Sequence, residues 1–174
     1  MAYISQLQLE QANEQQREQF DYQISRNGRI TNMKKTLLHH VPSYKALMEW
    51  YPLQAEMVEV VGERATNFYC YAISTKNDCL ICSMFFRKIL VDLNIEFENF
   101  EFTDQEQELI DYGRALVSNP ESIAPEIFEK LKARYTEEQI VLITSFGAMM
   151  IATNLINTAL KVELDDILVP YTKK

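Results

Sequence analysis

No charged side chain falls between Ile140 and Leu160, and that run constrains the fold of this chain more than any other feature. It is long enough to cross a bilayer or to make one long buried helix. Its polar residues decide between the two. Thr144, Ser145, Thr153, Asn154, Asn157 and Thr158 would each need a partner in lipid, and no basic cluster flanks the segment. The expectation is a long helix at the centre of a soluble helical protein or in a subunit interface, with no membrane partner.

The remaining chain also reads as helical. Apolar residues recur at three and four from Leu53 to Ile73, marking one helix with a buried face, and Lys76-Asn77-Asp78 reads as the turn into a second helix from Cys79 to about Leu93. Arg87 and Lys88 should face water there. Pro42 suits the first turn of a helix carrying Tyr44, Leu47, Met48 and Tyr51, which Pro52 then breaks or re-aims. Thr103 with Glu106 and Thr136 with Gln139 form capping boxes, so helices begin there. Asn119 to Pro125 reads as a loop, and Pro125 opens a short helix to about Arg134. No segment reads as a strand, and four Gly and five Pro in 174 residues leave the helices few breaks. An all-α bundle is the result.

One domain is expected at this length, with residues 1–26 as a Gln- and Glu-rich helical arm ended by Asn27-Gly28, and residues 27–174 as the body. A net charge of -8 argues against nucleic acid as a partner, because phosphate binding needs concentrated Lys and Arg. The N-terminus lacks a basic stretch followed by a sustained apolar one, so a cytoplasmic location is expected. No flavin, nicotinamide, haem or metal motif is visible, and no cofactor is expected.

Chemistry concentrates at Cys79-Leu80-Ile81-Cys82. Two Cys three apart in a helical first turn can approach closely enough for a disulfide, and the free amides of the turn favour a thiolate at the first. Zinc is a rival use, but only Cys70, His39 and His40 remain as further ligands, without the usual spacing. Simple packing of two small thiols is the other alternative. Phe68, Tyr69, Tyr71, Phe85 and Phe86 could line an apolar pocket beside the pair or belong to the core.

The CxxC at a helix start, Gly28-Arg29-Ile30-Thr31-Asn32-Met33, Leu38-His39-His40-Val41-Pro42, and the stretch from Tyr135-Thr136-Glu137-Glu138-Gln139-Ile140 through Asn154 to Val162-Glu163-Leu164 together resemble the alkylhydroperoxidase D and carboxymuconolactone decarboxylase family. The resemblance covers about residues 27 to 168. It implies an oligomeric helical bundle in which the dithiol reduces a hydroperoxide or disulfide and a dithiol reductant restores it. It also implies a proton relay: a Glu twelve residues before the first Cys, a His just before the second and a His four residues after it, where this chain has Asn67, Ile81 and Phe86.

General acid–base help of that kind is worth roughly 10²–10⁴ in rate. Phe86 and Ile81 cannot move protons, and a dry site beside Asp78 opposes the thiolate that the helix start favours. Two residues are candidate substitutes: Glu63, one turn before Asn67, and His40, which matches a His common in the family's Leu-x-His-x-Pro segment. Each has a plain structural alternative, as a solvated helix residue and as a helix cap.

The expected activity is therefore that of a thiol-dependent hydroperoxide or disulfide oxidoreductase, with Cys79 as the more exposed attacking thiol, Cys82 resolving, and Cys70 as a less favoured third redox partner. The alternatives are a relay-deficient oligomeric or ligand-binding protein and, behind it, a lactone-acid decarboxylase.

Overall fold

The computed structural model describes residues 2–95 and 100–172; Met1 and residues 173–174, at the outer ends of the two expected regions, lie outside them, as do residues 96–99. The described residues form helices α1 (Glu14–Asn27), α2 (Asn32–Leu37), α3 (Val41–Met48), α4 (Trp50–Val61), α5 (Glu63–Lys76), α6 (Leu80–Asp92), α7 (Asp104–Ser118), α8 (Pro125–Arg134) and α9 (Glu137–Ala159), with short 3-10 turns and no strand among them.

Local chemistry explains most boundaries. Thr103 and Glu106 satisfy each other's amides at the start of α7, and Thr136 and Gln139 do so at α9, arrangements typically worth ~1 kcal/mol each. Asn13 and Gln16 cap α1 in the same way, and Gly28 ends it with φ +69°. Pro125 opens α8, and the preceding loop holds a single 3-10 turn, Pro120–Ser122.

Two boundaries differ from expectation. α3 stops at Met48 and α4 starts at Trp50, so Tyr51 belongs to α4 and Pro52 sits in its first turn, where a missing N–H costs nothing. The helix expected from Leu53 to Ile73 is two, because Gly62 takes φ +87° between them. Apolar periodicity passes through that point unaltered, so the break rests on the one residue that tolerates the conformation.

The centre of the bundle belongs to α5, not α9. Residues Ala65 to Cys70 and Ala72 to Ser74 of α5 are buried, and α4, α6, α7 and α9 all pack on it. Gly113 of α7 and Gly147 of α9 let those helices close on the Tyr69 ring, whose hydroxyl donates to the Ile143 carbonyl at 2.9 Å. α9 is long and apolar enough to cross a membrane by length and composition alone. It turns Ile143, Phe146, Met150, Asn154 and Asn157 inward and leaves Val141 and Leu155 exposed.

The chain ends are tied to the body. Phe20 and Gln23 of α1 are buried, with Phe20 packing alongside Leu37, Leu38 and Tyr44. Tyr3 N–H donates to the Leu160 carbonyl and Leu7 N–H to that of Lys35. After α9, the strap of residues 160–172 runs over α6, with Leu168 buried and Asn32 gripping it. The backbone N–H of Asn32 donates to Asp165 Oδ1 at 3.0 Å, and its amide to the carbonyls of Glu163 and Leu164.

Candidate functional site

The α5–α6 turn sets the geometry of the Cys pair. Asp78 takes φ +52°, and Cys79 N–H returns to the Ser74 carbonyl at 3.0 Å, closing the end of α5. Cys79 is thereby the N-cap of α6 and Cys82 lies in its first turn. Both are free thiols and both are buried, at 2% and 5% exposure, so Cys79 is not the more exposed of the two.

The thiols hydrogen-bond to each other and titrate as a pair. Cys79 is lowered to about 7, first by the hydrogen bond from Cys82 and then, against its burial, by the backbone N–H groups of Cys82 and Ile81 and the Thr158 hydroxyl. Cys82 is held well above its ordinary value because its proton bridges to Cys79 and because it is buried, with Asn157 and Asn154 pulling the other way. The first proton lost therefore belongs to the pair, with the resulting charge favoured on Cys79.

Helix α9 supplies the surroundings. Asn157 Nδ2 lies 3.3 Å from Cys82 Sγ and 3.4 Å from Met33 Sδ. Asn154 donates to Ser74 Oγ at 3.3 Å and accepts from Asn77 Nδ2 at 3.2 Å, fixing the turn that carries the thiols. Among the described residues, Asn157 Oδ1, Trp50 Nε1 and Asn67 Oδ1 are buried without a partner.

Cys82 opens on a cavity of about 80 Å³. Trp50 and Tyr51 of α4 form one wall, Ile81, Phe85 and Phe86 of α6 another, and Met33, Met48 and Met150 fill corners, with Asp165 and Leu168 from the strap. Two of the expected aromatics, Phe85 and Phe86, thus line it. Phe68 instead packs on Phe100 and Phe102, and Tyr69 is in the core. Asp165, raised by burial despite its bond from Asn32 N–H, is a carboxylate on the cavity wall. Lys34 is buried, with no carboxylate partner among the described residues; it is lowered to about 8 by burial, donates to Gln23 Oε1 at 2.6 Å and rests 4.7 Å from the Tyr51 ring centre.

The two expected relay substitutes lie elsewhere. Glu63 is exposed at the first turn of α5, and its carbonyl accepts from Asn67 Nδ2 at 2.9 Å. His40 is the exposed N-cap of α3, bonded to Ser43, and His39 reaches the Ser5 carbonyl. Neither lines the cavity, because a helix start facing solvent is where their local structure holds them. Arg87 and Lys88 are half-buried rather than fully in water. Cys70 is wholly buried in the core, which pushes its thiol far up. Among the described residues no three His, Cys, Asp or Glu side chains group to hold a metal ion.

What sequence reasoning missed are Asn157, Asn154, Thr158, Trp50, Met33 and Asp165. A signal existed for three: Asn154, Asn157 and Thr158 recur at three and four on one face of an otherwise apolar helix.

No family profile matches the sequence, and no curated protein matches it. Solved structures do. An uncharacterized peroxidase-related protein from Silicibacter sp. TM1040 aligns with TM-score 0.73 at 14% identity, over 94% of this chain and 93% of that one. The debrominase Bmp8 aligns with TM-score 0.77 at 17% identity, over 97% and 95%. A peroxidase-related protein with an alkylhydroperoxidase AhpD core from Ralstonia eutropha JMP134 aligns with TM-score 0.71 at 14% identity, over 96% and 94%. The chain therefore has the all-helical alkylhydroperoxidase D-like fold of these proteins.

Proposed function

We propose that this chain is a thiol-dependent oxidoreductase that reduces a hydroperoxide or a disulfide with the Cys79–Cys82 pair. The observation that carries the reading is the contact between two free thiols at the start of α6, one of them on the wall of an apolar cavity.

Geometry favours reversing the expected order, because it is Cys82 that lines the cavity. In the reaction with a hydroperoxide, Cys79 as thiolate takes the proton of Cys82 as the Cys82 sulfur attacks the outer peroxide oxygen. The O–O bond breaks, an S–O bond forms, and the departing alkoxide takes a proton from solvent to become the alcohol. Cys79 then attacks the Cys82 sulfur, and hydroxide leaves with the Cys79 proton as water. Two thiols lose two electrons to make a disulfide, and the hydroperoxide gains them. Proton transfer inside the pair takes the place of the Glu and His relay, and Asn157 steadies charge on Cys82. A dithiol reductant returns the disulfide to thiols.

The second reading, a ligand-binding protein without turnover, is favoured by Phe86 and Ile81 on the cavity wall, where proton-transfer groups would be of use. Decarboxylation of a lactone acid fits less well, since the described residues lining the cavity include Asp165 and neither Lys nor Arg.

The test is thiol titration of the reduced protein before and after an organic hydroperoxide, with mass spectrometry locating the product. A Cys79–Cys82 disulfide reversed by dihydrolipoamide supports the enzyme, and Cys79→Ser should trap a sulfenic acid at Cys82. Two thiols that persist in excess hydroperoxide favour the binding reading, and a sulfenic acid trapped at Cys79 in Cys82→Ser restores the original order.

A further inference from the structure

Counting only His, Cys and carboxylates, the described residues bring too few zinc ligands to the Cys pair. A third sulfur stands at the pair.

We propose that Cys79, Cys82 and Met33 form a binding site for copper(I). The two thiols are already in contact, and one amide nitrogen, Asn157 Nδ2, touches both Cys82 Sγ at 3.3 Å and Met33 Sδ at 3.4 Å. The sulfurs come from three separate places in the chain: the end of the α5–α6 turn, the first turn of α6, and α2. The unbranched Met33 side chain has the torsional freedom to close on a metal held by the thiolates.

The choice of metal follows from the donor set. Thiolate and thioether are soft ligands that select copper(I), whereas zinc takes thiolate, imidazole and carboxylate in tetrahedral sets. Two thiolates and a thioether complete a low-coordinate copper(I) site without further help. The same set leaves zinc short, and among the described residues no His or carboxylate joins the thiols in a metal-holding group. Cys82 and Met33 also share the cavity wall, which gives an ion a route to them, and Met48 and Met150 add soft thioethers along it. Binding involves no oxidation: copper(I) displaces the thiol protons into solvent, so occupancy strengthens as pH rises.

The site uses the same two thiols as the redox reading but does not depend on their turnover, and its test reads none. The reduced full-length chain is titrated without oxygen using copper(I) supplied as its acetonitrile complex, in competition with bathocuproine disulfonate, and X-ray absorption counts the sulfur neighbours. One copper per chain with three sulfurs is expected. Met33→Leu, which keeps the side-chain volume, should lose one sulfur and weaken binding by about tenfold or more, since losing even an outer partner costs a metal site 10–100-fold. Cys79→Ser should weaken it further, and Cys70→Ser should leave it unchanged. Failure to hold copper against the chelator, or a Met33→Leu protein with the same affinity and sulfur count as the wild type, overturns the proposal.

Discussion

Asn157 Nδ2 of the long helix α9 donates to Cys82 Sγ across 3.3 Å, joining a segment that reads as plain core to the thiol chemistry of α6. A hydrogen bond to a charged group contributes about 1.5–3 kcal/mol. Asn157→Leu removes the donor while keeping the shape, so Cys82 should move still further up. Disulfide formation with an organic hydroperoxide at neutral pH should slow by roughly tenfold or more, one factor of ten for each ~1.4 kcal/mol. Stopped-flow thiol loss measures it. An unchanged rate means that no charge builds on the Cys82 sulfur before the slow step.

The shared proton of the pair sets a pH profile. Cys79 is lowered to about 7 chiefly by the hydrogen bond from Cys82. Below that value both thiols are protonated and slow; above it one is ionised, so alkylation and peroxide reduction should both rise through about pH 7. Cys82→Ala takes away the principal donor, and the remaining burial of Cys79 opposes its charge. Its alkylation should then inflect at higher pH, towards the ordinary value of 9.0 or beyond. An inflection that stays near 7 in Cys82→Ala would assign the shift to the helix start instead.

Glu63 and His40 should prove dispensable for the chemistry, since both are exposed and neither lines the cavity. Glu63→Gln should leave the rate of thiol oxidation within twofold. His40→Ala should do the same while lowering stability by ~1 kcal/mol, because His40 caps α3 through the Ser43 N–H. Denaturant unfolding separates the two effects, and a large rate loss in either variant brings that residue back into the reaction.

Local signals were legible and contacts between distant segments were not. The capping boxes at Thr103 and Thr136, Pro42 and Pro125 at helix starts, and the Cys pair opening α6 are all written within a few residues, and each appears where expected. Gly62 gave no such signal, because an isolated Gly is tolerated inside a helix and only its φ of +87° ends α4. The grip of Asn32 on Asp165 joins residues far apart in the chain, which no local pattern encodes. Polar residues Asn154 and Asn157 were visible as an argument against a bilayer, yet what they bind is settled only when α9 packs against the α5–α6 turn.

Gly147 tests the packing that holds that arrangement. A Cβ there would overlap the Tyr69 hydroxyl and stand 3.0 Å from Leu116 Cδ1, and the hydroxyl cannot retreat without giving up its 2.9 Å bond to the Ile143 carbonyl. Tyr69 is fully buried, so the displaced group would find no water to replace that partner. Overpacking typically costs 1–3 kcal/mol, and leaving a buried polar group unsatisfied costs a similar ~1–3 kcal/mol. Against this, Ala gains up to ~1 kcal/mol over Gly inside a helix. Gly147→Ala should therefore lower stability by about 1–5 kcal/mol, and Tyr69→Phe in the same background should recover part of the loss by removing the clashing hydroxyl. Chemical denaturation of the two variants measures both. If Gly147→Ala is as stable as the wild type, α9 is not pressed onto Tyr69 as the structure has it.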